Sequence, residues 1–240
     1  MEVTTDRTNK PPAAGILSLV GGVSLMLYLG CFFLWGNIDV YVLSYFYYIN
    51  SDTNFDFIFI VDSLLILANW IGYQVGVYLF QVRRWHPKLV IFLGATLSLS
   101  GVFLSSFTVD IGEYLACYCM MNGIGCGMSY MVPLICGWEW FPTRKGLVTG
   151  ITLGGYGFGS FIFGILSSKL VNPTGASPTE EASDGTKIYE KSIADNTPQM
   201  IRTLCYVWMV LVAIALLLVS RRPRAEREAI AQRLTVNHTA

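Results

Sequence analysis

The side chains able to do chemistry in this chain are few, and they stand inside long apolar runs. Asp62, Asn69, Tyr73 and Gly76 recur at i, i+7, i+11 and i+14, which at about 100° per residue is one helix face. Asn122, Cys126, Ser129 and Pro133 share a second face, with further hydroxyls at Tyr118 and Tyr130; Thr149, Thr152 and Tyr156 line up with Gly159 on a third. A polar group is costly in hydrocarbon, so each marks either a function or a contact between helices. The Asp62 carboxylate is the proton candidate; the alternatives are a cation on a neighbouring helix or the outer water. Asn69 either binds substrate or hydrogen-bonds between helices. Small, hydroxyl and amide groups together suit a water-filled path, lined by Asn69, Tyr73, Asn122, Ser129, Thr152 and Tyr156, or tight packing.

Other chemistries fall away. Cys31, Cys117, Cys119, Cys126, Cys136 and Cys205 all lie in apolar segments without metal spacing, and read as small packing residues. His86 and His238 lie outside those segments. No nucleophile–base pair is evident, so neither an enzyme, a metal nor a cofactor is expected. The run Gly155-Tyr156-Gly157-Phe158-Gly159-Ser160 has a nucleotide fingerprint's glycines but no strand before it. With net charge zero, nucleic acid is not an expected partner.

The elements that must position these residues are membrane helices. The chain is 53% hydrophobic and 13% charged, against about 25% charged in soluble domains. Six segments reach the roughly 20 residues needed to cross a bilayer: Gly15–Trp35, Phe57–Gln81, Leu89–Phe107, Tyr114–Gly137, Gly146–Leu170 and Ile201–Val219. The expected class is all-α and polytopic, with a polar tail over residues 1–14, a six-helix bundle over 15–220 and a basic tail over 221–240. The first helix serves as an uncleaved signal. Twelve of the sixteen Lys and Arg fall on one side, in the N-terminus, around Arg83, Arg84 and Lys88, at Arg144 and Lys145, and in the tail. The positive-inside rule then puts both termini in the cytoplasm or a mitochondrial matrix. The membrane is the plasma membrane or that of an organelle, such as the mitochondrial inner membrane. Residues 172–200, rich in Pro, Gly, Ser, Thr and acids, read as a mobile, solvated outer loop. Residues 222–233 read as an amphipathic helix at the inner face. The sequon at Asn237 falls on the inner side.

The stretch Trp138-Glu139-Trp140-Phe141-Pro142-Thr143-Arg144-Lys145-Gly146 joins two apolar segments, with aromatics and cations where a turn meets the headgroups. Gly150-x-x-x-Gly154 and Gly155-x-x-x-Gly159 follow as helix-contact motifs. From Trp140 to Gly155 the chain is similar to the fifth-helix signature of monocarboxylate porters and oxalate/formate antiporter-like proteins, in the major facilitator superfamily. Trp35-Gly36-Asn37, Gly123-x-Gly125-x-Gly127 with Tyr130 and Pro133, and Val171-Asn172-Pro173 extend the resemblance over about residues 15–220.

The resemblance implies the N-terminal six-helix half of a twelve-helix carrier. It implies alternating access for a small organic anion and an inner gate at Arg83, Arg84, Arg144 and Lys145. There are departures. The superfamily's acid between Gly76 and Arg83 is missing, as is the acidic-glycine start of the first helix. No Lys or Arg lies deep in any span. Three readings follow: a half-carrier completed by a second copy or a partner half, a structural accessory subunit of a larger membrane complex such as a respiratory one, or a truncated product of a longer gene.

Overall fold

The computed structural model describes residues 13–50, 57–182 and 185–227. Among the described residues, six helices are long and apolar enough to cross a membrane: α1 (Ala13–Ile49), α2 (Phe57–Val82), α3 (Pro87–Ser105), α4 (Ile111–Trp140), α5 (Lys145–Val171) and α6 (Lys191–Leu218). Two-residue strands, β1 (Glu180–Glu181) and β2 (Lys187–Ile188), pair antiparallel between α5 and α6. Capping starts two helices. His86 Nδ1 accepts from the Lys88 amide ahead of Pro87 at α3, and Asp110 Oδ1 accepts from Gly112 and Glu113 at α4.

Glycine seams set the packing, with α4 at the centre. A Cβ at Gly72 or Gly76 of α2 would overlap the carbonyls of Ile124 and Met128 in α4. Reciprocally, one at Gly123 or Gly127 would overlap the α2 backbone at Leu65 and Asn69. Gly125, between them, faces Gly94 and Ser98 of α3. On the other side, Gly155 and Gly159 of α5 close on Val23 and Leu27 of α1. Backbones that approach this closely gain dispersion contacts that lipid cannot outcompete.

Helix α1 differs from the sequence expectation. It runs on from Trp35 to Ile49, with a 3₁₀ turn at Gly30–Leu34. Its 37 residues span about 55 Å at 1.5 Å each, well beyond the roughly 30 Å hydrocarbon core. The far part stays helical because Ile38, Tyr41, Val42 and Phe46 are buried. Wider π turns interrupt α2 at Tyr78–Val82 and α4 at Leu115–Met121.

The connection after α5 is expected to be mobile and solvated; residues 173–177 are exposed as that implies, whereas Glu180, Ile188 and Tyr189 dock on the far part of α1. Tyr189 stacks on Tyr41 with ring centroids 4.5 Å apart, and its amide donates to Ser44 Oγ at 3.0 Å. Tyr48 donates to Glu180 at 2.5 Å, and Ile188 is fully buried. A few apolar side chains among the polar ones are what composition obscured. Burial, then a hydrogen bond with Tyr41, pushes the Tyr189 phenol up to about 12.

At the opposite, basic end Glu139 pairs with Arg221 and with Arg227, the latter at 2.9 Å. Arg221 lies 4.6 Å over the Phe80 ring. Trp140 Nε1 donates to the Ser220 carbonyl at 2.9 Å, and Ser18 Oγ both donates to and accepts from Ser220. Residues 1–12, the sequon and residues 228–233 of the expected tail helix lie outside the described residues.

Candidate functional site

Four helices contribute to one row of half-exposed rings. Tyr73 of α2 lies 6.4 Å from Tyr130 of α4, Tyr130 lies 5.5 Å from Tyr156 of α5, and Tyr156 lies 5.2 Å from Phe33 of α1. Phe33 is 54% exposed. The glycine seams bring these rings together. Tyr73 follows Gly72, and its amide would sit 2.6 Å from a Cβ at Gly127. Gly30 of α1 meets the Tyr156 carbonyl, so closely that a Cβ there would overlap it.

Asn69, one turn from Tyr73 on α2, is half-buried and reaches the Gly123 carbonyl at 3.5 Å. Asp62 lies exposed farther along the same helix, close enough to Asp39 of α1 for their charges to interact. Among the described residues the hydroxyls of Tyr73, Tyr130 and Tyr156 have no hydrogen-bond partner. They are donors and acceptors waiting at one surface.

The remaining path candidates lie inside the seams. Asn122, 1% exposed, accepts from Ser98 Oγ at 2.6 Å and from Cys126 Sγ at 3.3 Å, and Tyr28 OH donates to Ser98 Oγ at 2.5 Å. This network ties α1, α3 and α4. Ser129 is fully buried and reaches the Ile91 carbonyl of α3 at 3.5 Å. Thr152 is fully buried, with its hydroxyl unpartnered among the described residues. Tyr73 and Tyr156 are thus joined through Tyr130, while Asn122, Ser129 and Thr152 are held apart from the row.

Phe33 went unmarked by sequence reasoning, being one apolar residue in an apolar run. Tyr130 was noted only as a hydroxyl on the Asn122 helix. Eight residues at about 100° each leave it about 80° around from Asn122, on the side that faces α2.

The gate candidates are exposed at the basic end. Arg83 lies 5.8 Å from the Tyr78 ring centre, and Arg84 holds a left-handed backbone with φ 56°. Arg144 and Lys145 open α5, where Trp138 Nε1 donates to Thr149 Oγ1 at 2.9 Å and Thr149 donates back to the Lys145 carbonyl. Among the described residues no group of three or more His, Cys, Asp or Glu stands where a metal ion could be held. Chemically, the row can accept a small polar solute by hydrogen bonding against aromatic walls.

No family model matches the chain. It is 28% identical over 251 residues to apicoplast pyruvate carrier 1 of Toxoplasma gondii, covering 85% of this chain and 45% of that protein. It is 29% identical over 112 residues to monocarboxylate transporter 13 of Rattus norvegicus, covering 47% and 26%. It is 28% identical over 96 residues to the oxalate:formate antiporter of Oxalobacter formigenes, covering 40% and 23%. The chain spans less than half the length of these relatives.

Proposed function

Starting from a chain that is a multi-pass membrane relative of monocarboxylate transporters and oxalate:formate antiporters of the major facilitator type, we propose that it forms one half of a carrier for a small organic anion. Pyruvate is the first substrate to test, given the name of the T. gondii relative. The observation that carries the reading is the ring row from Tyr73 to Phe33, which draws one residue from each of four helices onto one half-exposed surface. The Tyr73, Tyr130 and Tyr156 hydroxyls donate hydrogen bonds to the carboxylate, and Asn69 orients it. The charge that neutralises the anion comes from the second half, because no Lys or Arg among the described residues belongs to the row. Asp62 carries the proton where transport is coupled. The chain does no bond-making chemistry.

Alternating access needs a second six-helix unit, supplied by another copy, a partner chain or further sequence of the same polypeptide. Helix α5 supports such a contact. Gly155 and Gly159 are used against α1, whereas a Cβ at Gly146, Gly150, Gly154 or Gly157 would meet nothing within 4 Å. This unused small-residue strip beside the ring row suits a close helix approach. Arg83, Arg84, Arg144 and Lys145 close the basic end, which faces the cytoplasm or matrix.

The test is labelled-pyruvate uptake into proteoliposomes made from the assembly as extracted from its own membrane. Tyr73→Phe and Tyr156→Phe should each cut uptake about tenfold, with assembly mass unchanged. Absence of uptake, together with fixed-stoichiometry co-purification with a large multi-subunit enzyme, would sink the carrier reading in favour of an accessory subunit.

A further inference from the structure

At the basic end, α2, α4 and the segment after α6 enclose a recess of ≈ 720 Å³. Its lining includes Gln81, Arg84, Trp138, Arg221, Arg224 and Arg227. Four guanidinium groups from two separate stretches of chain converge there. Glu139 is shared by Arg221 and Arg227, so one carboxylate serves two guanidinium groups there. Arg84 makes no ion pair with any described residue. It also holds φ 56°, among the described residues the one non-glycine position with positive φ. That conformation disfavours side chains carrying a Cβ. An arginine where glycine would be unstrained points to a use for its side chain.

We propose that this recess binds a polyvalent, phosphate-bearing anion at the basic end of the bundle. Guanidinium forks match phosphate oxygens in pairs, and several together select multiple negative charge. A three-carbon monocarboxylate carries one charge and would leave most of the volume empty. The recess has the size of sites for considerably larger ligands. Trp138 forms an aromatic wall, and its Nε1 is already committed to Thr149. Gln81 adds an uncharged amide. The site is separate from the ring row but shares Arg84 with the basic-end gate, so it is tested by binding and not by pyruvate transport. The phosphate comes either from a lipid headgroup in the adjoining leaflet or from a soluble phosphate ester, and the two sources are separable.

The experiment uses the full chain, reconstituted in phosphatidylcholine nanodiscs. Inositol hexakisphosphate is titrated calorimetrically, with sodium pyruvate as the monovalent control. In parallel, nanodiscs containing phosphatidylinositol 4-phosphate are examined by native mass spectrometry for retained lipid. Binding of the soluble probe assigns a soluble ester; retention of the lipid alone assigns a headgroup. In either arm Arg84→Gly should weaken binding about tenfold, the equivalent of one charge-assisted contact. Its thermal midpoint should equal or exceed that of the wild type, because glycine relieves the backbone. Arg224→Gln, a second variant away from the strained turn, should weaken binding in the same way. Binding of neither probe overturns the proposal. So does binding by Arg84→Gly and Arg224→Gln within twofold of wild type, or pyruvate binding that both variants abolish.

Discussion

Adding one methyl group to α5 should have opposite effects at two glycines five residues apart. Ordinary Cβ contacts lie at 3.4–4 Å. In Gly159→Ala the new Cβ would stand 2.9 Å from the Leu27 carbonyl carbon and 3.1 Å from its Cα, and would overlap the carbonyl oxygen. The obstacle is α1 backbone, which cannot turn aside as a side chain does. Helix α5 must therefore retreat by about an ångström, and a gap of about 0.5–1 Å forfeits a quarter to a half of each dispersion contact it opens. With the usual overpacking cost of about 1–3 kcal/mol, the midpoint of thermal unfolding should fall by about 4–8 °C for a loss of about 2 kcal/mol. In Gly154→Ala, measured on the chain separated from any second half, the Cβ meets nothing within 4 Å, and alanine's helix preference, about 1 kcal/mol over glycine, should leave the midpoint unchanged or raised. The cysteines give the assay: Cys31, Cys119, Cys126, Cys136 and Cys205 are buried, so a thiol-reactive fluorophore reports their release on heating. Equal midpoints for the two variants, or a lower one for Gly154→Ala, would refute the assignment of the α1–α5 seam.

Other substitutions test other contacts. Asn122→Ala removes the acceptor of the buried Ser98 hydroxyl; an uncompensated buried donor costs about 1–3 kcal/mol, and the same thermal assay should show it, whereas an unchanged midpoint would disprove the network. Glu139→Gln leaves Arg221 and Arg227 without their shared carboxylate and should cost about 1–3 kcal/mol, between exposed and buried pairs; a midpoint within 1 °C of wild type, about the noise of such a scan against the 2–4 °C expected per kcal/mol, would mean that the cluster holds nothing together. Tyr189→Ala deletes the stack on Tyr41, worth about 0.5–1.5 kcal/mol, so protease cleavage within residues 172–190 should quicken about two- to tenfold. Unaltered cleavage would show that the cap is held elsewhere.

The six spans and the glycine motifs were legible in the sequence because apolar length and i, i+4 spacing are local properties. Which neighbour each glycine meets was not. Gly150 and Gly154 repeat the spacing of Gly155 and Gly159, yet only the latter pair touches α1. Helix phase relative to neighbours decides that, and no single helix encodes it. The same reason separates Tyr73 and Tyr156, which reach the surface row, from Asn122, Ser129 and Thr152, which do not. Chemistry alone grouped them, since hydroxyls and amides serve a path and a seam equally well. Glu139 illustrates a third limit. Its partners Arg221 and Arg227 are more than eighty residues away, and its sequence neighbourhood shows only a turn between membrane helices.

The 3₁₀ turn of α1 gives this helix an uneven bending stiffness. Tighter, poorer hydrogen bonds at Gly30–Leu34 make a compliant coupling between two rods. One rod, Ala13–Leu29, is clamped by α5 and α6; the other, Trp35–Ile49, carries the docked connection with Tyr189. The second rod is about 22 Å long at 1.5 Å per residue. A tilt of about 10° at the coupling therefore swings its tip by about 4 Å, and the cap travels with it as cargo. Because Phe33 sits within the coupling itself, a solute bound at the proposed row would press at the fulcrum of a lever whose load is the far surface of the protein.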